Sequence, residues 1–181
     1  MIRKASAALV IAILATGGTI APASALTSTT KASLQFIVEE EKLARDVYTA
    51  LAKTSGLTKF ENIARSEQLH MDEIRALLKK YNIKDPTANA ATGVFVNKDL
   101  QKLYTTLVAQ GSVSDEAALA VGVSIEKLDI ADLDKLVKTI AASDIKAAFA
   151  NLRAGSVRHL SAFQRTSGSG GNQTSGNGAT H

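Results

Sequence analysis

The sequence predicts an all-α protein built as a four-helix bundle, and three observations support that class. Its 181 residues include only two prolines and 4% aromatic side chains, whereas alanine and leucine are abundant. Four long segments repeat their apolar residues at alternating three- and four-residue steps, which is the pattern of an amphipathic helix. Short turns join the first segment to the second and the third to the fourth, while a long connection separates the two pairs. We therefore expect two helical hairpins joined by one long crossover.

Residues 1–25 are predicted to be a secretory signal peptide. They combine two basic residues near the start with an apolar run over residues 7–15 and the small-x-small cleavage pattern of residues 23–25. A membrane anchor is the alternative, but the apolar run is shorter than the ~20 residues of a spanning helix, and glycines and a proline interrupt its continuation. Cleavage after Ala25 would yield an exported protein without a membrane span, located in a periplasm, at a cell wall or in the medium.

Residues 166–181 are predicted to be a flexible tail. They contain no formal charge and no apolar side chain larger than alanine. Such a segment cannot bury enough surface to offset the entropy of ordering it. Between the two ends we expect a short N-terminal segment over residues 26–32 and one folded domain over residues 33–165.

The first hairpin is defined by its start and stop signals. A first helix is predicted from Ser33, its cap, to Thr54, and Gly56 ends it. A capping box over residues 58–61 opens a second helix that reaches Asn82. The linker between the two helices is so short that they must be antiparallel neighbours.

The second hairpin follows a long connection over residues 83–113. This connection contains a predicted short helix over residues 97–110, which Gly111 ends. A third main helix is predicted over residues 114–137, with acidic residues in its first turn, and a fourth over residues 143–164, capped by its serine. At 1.5 Å per residue, each of the four main helices is about 30 Å long.

Each predicted inward stripe carries an ionisable side chain near its middle, where an amphipathic helix is normally apolar. The four stripes, in chain order, are Leu34, Ile37, Glu41, Ala44, Tyr48 and Leu51; Phe60, Ile63, Glu67, His70, Ile74, Leu77 and Tyr81; Leu119, Gly122, Glu126, Asp129, Leu133 and Val137; and Ile145, Phe149, Leu152, Ser156, His159 and Phe163. In the third helix a competing apolar stripe, Val121, Ile125 and Leu128, leaves the assignment open. Both histidines of the predicted domain fall on these stripes, level with acids.

A buried cluster of acids and imidazoles is typical of a metal site. Ionised carboxylates are costly to bury unless they are paired, and a bound cation supplies the missing positive charge. The candidate ligands are Glu41, Glu67, His70, Glu126, Asp129 and His159. Since oxygen donors outnumber the two imidazoles and the sequence has no cysteine, iron or manganese is favoured over zinc, which stays an alternative.

Simpler explanations exist for each of these side chains taken alone. Glu41 by itself would be a boundary residue whose carboxylate reaches water. His70 or His159 by itself would be a hydrogen-bonded core histidine. Glu67 and His70, three residues apart, are neighbours on a helix surface, which is also common by chance. The coincidence of all these groups at one level of the bundle favours the metal site.

Several other charged residues are predicted to lie away from the site. The acids off the inward stripes, interpreted as solvated faces or helix-start charges, are Glu39, Glu40, Glu61, Asp72, Glu73 and Glu116. Arg45 and Asp46, on the flank of the first helix, are interpreted as an ordinary surface pair, with hydrogen-bonded support of the ligands as the alternative.

Other function classes fit the sequence poorly. The net charge of +4 is modest, so no nucleic-acid partner is expected. The absence of cysteine excludes disulfides, cysteine nucleophiles and iron–sulfur clusters. Ser156, His159 and Asp129 do not suggest a hydrolase triad, because Ser156 lies in mid-helix rather than on a strand–turn–helix elbow.

The residues around the candidate ligands resemble known metal-binding helices. Residues 41–48 (EKLARDVY) resemble the first metal-binding helix of rubrerythrin-type domains, and residues 63–74 resemble their second, Glu-x-x-His helix. These domains belong to the ferritin-like superfamily of di-iron carboxylate proteins. The chain is more closely similar to a family of ferritin-like domains of unknown function, the one numbered 2202, over residues 40–48, 66–70, 122–132 and 151–163.

The resemblance implies a ferritin-like bundle in which the candidate ligands hold two iron ions. Glu67 would bridge the ions, His70 and His159 would bind one each, and Glu41 and Glu126 would be terminal or bridging ligands. Manganese or zinc would be alternative metals.

One position departs from the superfamily pattern. The last helix of the superfamily usually carries a second Glu-x-x-His, whereas here Ser156 stands three places before His159. Asp129 or water would have to replace the missing carboxylate, and one tight and one weak metal position is the alternative.

The implied function is oxidation of Fe(II) or reduction of O₂ or peroxide. Without cysteine there is no built-in electron relay, so sustained peroxide reduction would require an external electron donor. A non-catalytic protein that sequesters metal ions outside the cytoplasm is the alternative. A third interpretation is a structural bundle whose inward acids are hydrated.

Overall fold

The computed structural model describes residues 26–167, and in this range the chain forms five α-helices and no strand. The helices are α1 (Ser28–Ser55), α2 (Thr58–Lys80), α3 (Lys98–Gly111), α4 (Asp115–Leu136) and α5 (Ser143–Ser167), with a 3₁₀ turn at Val137–Thr139. The predicted all-α class is confirmed, including the short helix within the connection. The predicted signal peptide and residues 168–181 of the predicted tail lie outside the described residues.

The four long helices pack side by side, each antiparallel to its neighbours. Arg45 on α1 donates to Gln68 on α2, and Arg153 on α5 pairs with Asp134 on α4. Tyr48 on α1 reaches the α4 residues around position 126, and Asp129 on α4 meets Ser156 on α5. Since α2 and α4 are both antiparallel to α1, they run parallel to each other. The connection between them therefore has to travel the length of the bundle.

The buried apolar side chains form two separate clusters. One is centred on Tyr48, Phe60 and Phe163 and includes residues of α3. The other is centred on Ile74 and Phe149 at the opposite end of the long helices. Each fully buried Leu, Ile or Phe contributes about 1.5–3 kcal/mol to folding. The two clusters thus hold the bundle from both ends and leave the layer between them to polar side chains.

The N-terminal boundary of α1 differs from the prediction. The helix begins at Ser28, and Thr27 is the cap, with its side chain accepting a hydrogen bond from the Thr30 amide. Ser33 is a buried helical residue whose hydroxyl donates to the Thr29 carbonyl. The prediction was wrong because serine and threonine, which both cap helices, already occupy residues 27–30. The first of them, Thr27, has the extended backbone that a cap requires.

Two further boundary signals also behave differently. Leu57, not Thr58, is the N-cap residue of α2, and no side chain caps that end, so the predicted capping box does not form. Gly111 is the last residue of α3 and Ser112 is its C-cap. Gly56, by contrast, ends α1 in the left-handed conformation (φ 67°), as the sequence predicts.

A buried ion pair fastens the crossover to α1. Lys42 and Asp46 pair with each other, and each is only 1% exposed. Lys42 Nζ donates to the Ala91 carbonyl (2.8 Å) and lies 4.4 Å from the centroid of the Phe95 ring. Asp46 Oδ2 accepts from the Gly93 amide at 2.8 Å. Arg45 and Asp46 do pair as predicted, with Arg45 Nη2 2.7 Å from Asp46 Oδ1, but the crossover buries Asp46, so the predicted surface location of the pair was wrong.

Glu39 is a second acid that the crossover buries. Its carboxylate accepts hydrogen bonds from the amides of Val96 (2.6 Å) and Asn97 (3.2 Å), just before α3 begins. The prediction that Glu39 lies on a solvated face was therefore wrong. Among the described helices, none combines the length and apolar character needed to cross a bilayer.

Candidate metal centre

The four long helices bring the predicted ligands into the polar layer between the two apolar clusters. α1 supplies Glu41, α2 supplies Glu67 and His70, α4 supplies Glu126 and Asp129, and α5 supplies His159. All six side chains are buried. In α4, Glu126 and Asp129 are buried, so the acidic stripe faces the interior, and Val121 and Ile125 of the competing apolar stripe are buried as well, whereas Leu128 is 38% exposed.

Five of the six residues form two Glu/Glu/His groups that share Glu67. Glu41, Glu67 and His70 form the first group, and Glu67, Glu126 and His159 form the second. In each group one ligand atom per residue lies within 4.8 Å of the others.

The carboxylate of Glu67 lies between the two imidazoles. His70 Nδ1 is 2.7 Å from Glu67 Oε2 and 3.2 Å from Glu41 Oε2. His159 Nδ1 is 2.8 Å from Glu67 Oε1 and 3.6 Å from Glu126 Oε1. The two oxygens of Glu67 thus face different histidines, which is the geometry that a carboxylate bridging two ions requires.

The two imidazole rings are held by their surroundings. They stack with their centroids 5.6 Å apart. His159 Nε2 lies 3.0 Å from Ser66 Oγ, which orients the ring so that Nδ1 points at the carboxylates. The His70 ring lies against the backbone of α5 at Gly155, where a Cβ would be 2.5 Å from Cε1 and Nε2 of the imidazole. Only glycine at this position leaves room for the ring.

Tyr48 joins the site from the apolar side. It is fully buried, and its hydroxyl donates to Glu126 Oε1 at 2.7 Å. Burial raises the pKa of Tyr48 well above its usual value, and the negative charges of Glu126 and Glu67 raise it further. The phenol therefore stays protonated and acts as a donor that fixes one oxygen of Glu126.

Asp129 lies beside the two groups without belonging to either. Its Oδ2 accepts a hydrogen bond from Ser156 Oγ at 2.5 Å, and the same hydroxyl also contacts the Leu152 carbonyl at 2.9 Å. Ser156 thus occupies one oxygen of Asp129 and leaves Oδ1 without a hydrogen-bond partner. Asp129 is a carboxylate oriented by the residue that replaces the expected glutamate on α5.

The buried side-chain atoms that lack hydrogen bonds concentrate in this layer. Within the described part of the chain they are Glu40 Oε2, Glu41 Oε1, Glu67 Oε1, Asp129 Oδ1 and His159 Nδ1. Glu67 Oε1 and His159 Nδ1 are close to each other, yet they do not meet with hydrogen-bond geometry. Buried polar atoms are almost always hydrogen-bonded, so a group of unpartnered oxygens and a nitrogen is the donor set that a cation would satisfy.

The shared glutamate and the histidines influence one another's proton affinity. Burial by itself raises the pKa of Glu67, but the two imidazoles outweigh burial and lower it to about 2. Burial by itself lowers the pKa of His70 and of His159, but the surrounding glutamates raise these values to about 10 and about 9. In the metal-free protein the surroundings therefore favour the ionised form of Glu67 and the protonated forms of both imidazoles.

The remaining acids of the layer hold their protons more tightly than usual. Burial raises the pKa of Glu126 to about 8 and that of Asp129 to about 7. Burial and the charge of Asp129 also raise the pKa of Glu41. Each of these protons would leave on metal binding, because only the ionised carboxylate is a good ligand.

Glu40 is a buried acid that the sequence places on a solvated face, and that prediction was wrong. It is only 5% exposed. Burial, together with the charges of Asp129 and Asp132 on α4, raises the pKa of Glu40 to about 10. Glu40 lies one residue before Glu41, and α4 covers the face of α1 that carries it.

Sequence reasoning missed three residues that shape the centre. Ser66 and Gly155 carry no periodicity signal, because a small residue is compatible with either face of a helix. Tyr48 lies on the predicted stripe seven places after Glu41, but nothing in the spacing indicates that its hydroxyl reaches α4. The preference of glycine for positions outside helix interiors is the one signal that singles out Gly155.

Comparisons with known proteins support the relationship that the motifs indicate. Residues 30–176 match the family described as an uncharacterized protein domain, DUF2202. The uncharacterized protein MJ0754 of Methanocaldococcus jannaschii is 51% identical over 127 residues, which is 70% of this chain and 69% of that protein. The crystal structure of the hypothetical protein MJ0754 from Methanococcus jannaschii superimposes with a TM-score of 0.81 at 44% identity, covering 86% of this chain and 89% of that one. The chain belongs to the DUF2202 family.

Proposed function

We propose that this protein is a ferritin-like four-helix bundle that binds two metal ions, with iron as the first candidate. Glu41, Glu67 and His70 would hold one ion, and Glu67, Glu126 and His159 would hold the other. The shared position of Glu67, with one oxygen toward each histidine, is the observation that carries the proposal.

The composition of the layer supports metal binding over a merely hydrated interior. Four of the predicted ligands present a buried atom that no protein group hydrogen-bonds, and three of these, Glu41, Glu67 and His159, belong to the two Glu/Glu/His groups. The donors are carboxylates and imidazoles without sulfur, which suits iron or manganese better than a soft metal.

The ferritin-like placement rests on the architecture and on α2. The crossover between parallel α2 and α4 and the Glu67–His70 pair on α2 are what that superfamily combines. Asp129 supports the same assignment, because its free Oδ1 offers the carboxylate that Ser156 does not provide on α5.

The proposed chemistry is oxidation of Fe(II) or reduction of O₂ or peroxide. Bound iron would supply the electrons for that reduction. The chain would position the ligands: Ser66 orients His159, and Tyr48 donates to Glu126. With no cysteine in the sequence, repeated turnover would need an external donor or a continuing supply of Fe(II).

Metal loading and oxygen consumption test the proposal together. The metal-free protein is mixed with Fe(II) in air, and oxygen uptake and bound iron are measured beside the Glu67→Ala/His70→Ala variant and an exposed control, Glu61→Ala. We expect two bound ions and oxygen uptake in the protein and in the control, and neither in the double variant. Tight binding of Mn(II) or Zn(II) without oxygen uptake would support metal sequestration, and not catalysis, as the function of the centre. Equal, near-zero metal in all three proteins would overturn the proposal.

A further inference from the structure

Among the five residues of the two Glu/Glu/His groups, the histidines are the ones that solvent reaches. The exposed fraction of the side chain is 11% for His70 and 10% for His159. The side chains of the three glutamates are only 2% or 3% exposed. Solvent therefore contacts these groups at the imidazoles, and the carboxylates lie behind them.

Both imidazole rings lie between α2 and α5. His70, on α2, contacts the backbone of α5 at Gly155, where a Cβ would be 2.5 Å from the ring. His159, on α5, has its Nε2 atom 3.0 Å from Ser66 Oγ on α2, and Ser66 is itself partly exposed. Since the Nδ1 edge of each ring faces buried carboxylates, its exposed part belongs to the opposite edge, which these contacts place between the two helices.

Two hydrogen bonds between α2 and α5 lie on either side of the rings. Lys59 Nζ donates to the Ala162 carbonyl at 2.5 Å on one side, and Asn151 Nδ2 donates to Glu73 Oε1 at 3.1 Å on the other. We call the stretch between these two contacts the α2–α5 seam. The residues that touch the rings within the seam are small, a serine on α2 and a glycine on α5. Neither of them can cover the outer edge of an imidazole.

The interface between α4 and α5 is the alternative route to the polar layer, because Asp129 is 8% exposed there. That interface is held at the same level by the hydrogen bond from Ser156 Oγ to Asp129 Oδ2, which is buried. The corresponding bond in the α2–α5 seam, between Ser66 and His159, is only partly buried. Water competes with a hydrogen bond that it can reach, so the seam is the easier of the two interfaces to open.

We propose that the α2–α5 seam is the entrance through which divalent metal ions enter and leave the centre. This inference rests on the proposed function and adds the path of exchange to it. Separation of α2 from α5 breaks the hydrogen bond between Ser66 and His159 and frees that ring to turn. The turn uncovers Glu67, whose carboxylate lies between the two rings, so Glu67 is the first acid that an entering ion meets. An opening of this kind controls the rates of binding and release but not the affinity.

A reversible cross-link across the seam tests the proposal. In Glu73→Cys/Asn151→Cys the two cysteines replace side chains that hydrogen-bond between α2 and α5, and the chain has no other cysteine that could react. A short bifunctional thiol reagent with a reducible disulfide at its centre ties the helices together, and reduction frees them. The matched control, Asp134→Cys/Arg153→Cys, replaces the pair that joins α4 to α5.

The rates of Mn(II) uptake and release are measured for each form. Uptake by the metal-free protein is followed after rapid mixing as the fall of free Mn(II) in electron paramagnetic resonance, and release as the quenching of a fluorescent chelator present in excess. We expect the cross-link in the seam to slow both rates about tenfold or more, with unchanged affinity and stoichiometry, and reduction to restore them. The control cross-link should change either rate by less than about twofold.

The possible failures are distinguishable. Equal rates in the cross-linked and reduced forms of the seam variant would overturn the proposed entrance and leave the proposed function intact. Slowing by the control cross-link instead would place the entrance beside Asp129 and would also overturn it. If no form, including the unaltered protein, binds Mn(II), the proposed function fails and this inference fails with it.

A single substitution decides the question should a cysteine pair fail to fold, as judged by circular dichroism. Ser66→Ala removes the hydrogen bond to His159 and should speed both uptake and release of Mn(II). Loss of ring orientation alone would speed release only. Ser161→Ala, which removes a hydroxyl bonded within α5, is the control and should leave both rates unchanged. Unchanged uptake by Ser66→Ala would overturn the proposal.

Discussion

At the residue scale, the centre depends on side chains whose size matters as much as their charge. Gly155 allows the His70 ring to lie against α5, and Tyr48 crosses from α1 to hold one oxygen of Glu126. Neither residue is a predicted ligand. Each places a ligand atom, and displacements of that kind typically cost 10–100-fold in metal affinity, roughly.

Replacing Gly155 with alanine is predicted to weaken metal binding. The added Cβ would lie 2.5 Å from the His70 ring, which must move away from Glu41 and Glu67. Calorimetric titration with Mn(II) should show affinity reduced roughly tenfold. Alanine is the better helix former by about 1 kcal/mol, so a variant that is simply more stable and binds metal normally would contradict the close contact. Val157→Ala, at a 40% exposed position of the same helix, is the control.

Removing the hydroxyl of Tyr48 is predicted to act on Glu126. Tyr48→Phe deletes a buried hydrogen bond, which should lower the free energy of unfolding by about 0.5–1.5 kcal/mol. It should also raise the pKa of Glu126, because the lost bond favours the ionised carboxylate. Metal titrations at several pH values should show half-maximal loading at a higher pH in the variant. An unchanged pH profile would show that the phenol does not act on this ligand.

At the scale of the element, α1 has two functional faces that the crossover and α4 divide between them. Toward the crossover, Glu39, Lys42 and Asp46 bind backbone groups of residues 91–97. Toward the bundle interior, Glu40 and Glu41 face α4 and α2. The amphipathic period of α1 correctly places Glu41 in the interior. It places Glu39 and Asp46 at the surface, but the crossover covers α1 there and buries both acids.

Breaking the buried pair on α1 is predicted to destabilise the protein. Asp46→Ala leaves the Lys42 ammonium buried without its carboxylate, and such changes cost about 3–5 kcal/mol. Chemical denaturation should show this loss, whereas Asp72→Ala, which removes an exposed partner of Arg75, should cost less than about 1 kcal/mol. The proposed metal stoichiometry of folded Asp46→Ala should be unchanged, since neither residue is a ligand. A small loss for Asp46→Ala would show that the crossover is held mainly by its apolar contacts.

At the scale of the whole molecule, two apolar clusters enclose a polar layer of acids and histidines. The protons that this layer binds oppose the metal binding that we propose for it. Folding raises four pKa values above their ordinary level, so these side chains bind protons more tightly than in the unfolded chain. They are His70, His159, Glu126 and Asp129. Metal binding requires those protons to leave. The metal-free and metal-loaded proteins should therefore respond to pH in opposite ways.

The metal-free protein is predicted to lose stability as the pH rises from about 5 to about 8. A group with a raised pKa contributes stability that is complete below its unfolded value and is lost as the pH rises through its folded value. The pKa of Asp129 is raised to about 7, that of Glu126 to about 8 and that of His159 to about 9, so all act in this window. Glu67, with a pKa lowered to about 2, acts in the opposite sense, and its contribution is lost only as the pH falls below about 4.

Thermal unfolding between about pH 5 and about pH 8, with and without Mn(II), measures how stability changes with pH in the metal-free and the metal-loaded protein. The stabilisation by Mn(II) should grow with pH, because fewer protons remain to be displaced. Glu126→Gln removes one titrating group and should flatten the slope of the metal-free protein. Stability that rises between about pH 5 and about pH 8 in the metal-free state would contradict the proposed protonation.

The helices, their order and the level of the charged layer follow from the sequence alone. Periodicity identifies which face of each helix is buried, and Gly56 and the serine and proline signals place most turns within a few residues. Glu41, Glu67, His70, Glu126, Asp129 and His159 were recognisable because an ionisable group on an apolar stripe is costly unless something compensates it.

Only the tertiary structure decided which of the acids meet. The period of a helix specifies a face but not how far a neighbouring element covers it, so Glu40 looks solvated until α4 lies over it and Asp46 until the crossover does. The division of Glu67 between two histidines, the fit of His70 against Gly155 and the hydrogen bond from Ser156 to Asp129 all depend on interhelical register. Register is set by packing among residues distant in sequence, and no local pattern in the chain encodes it.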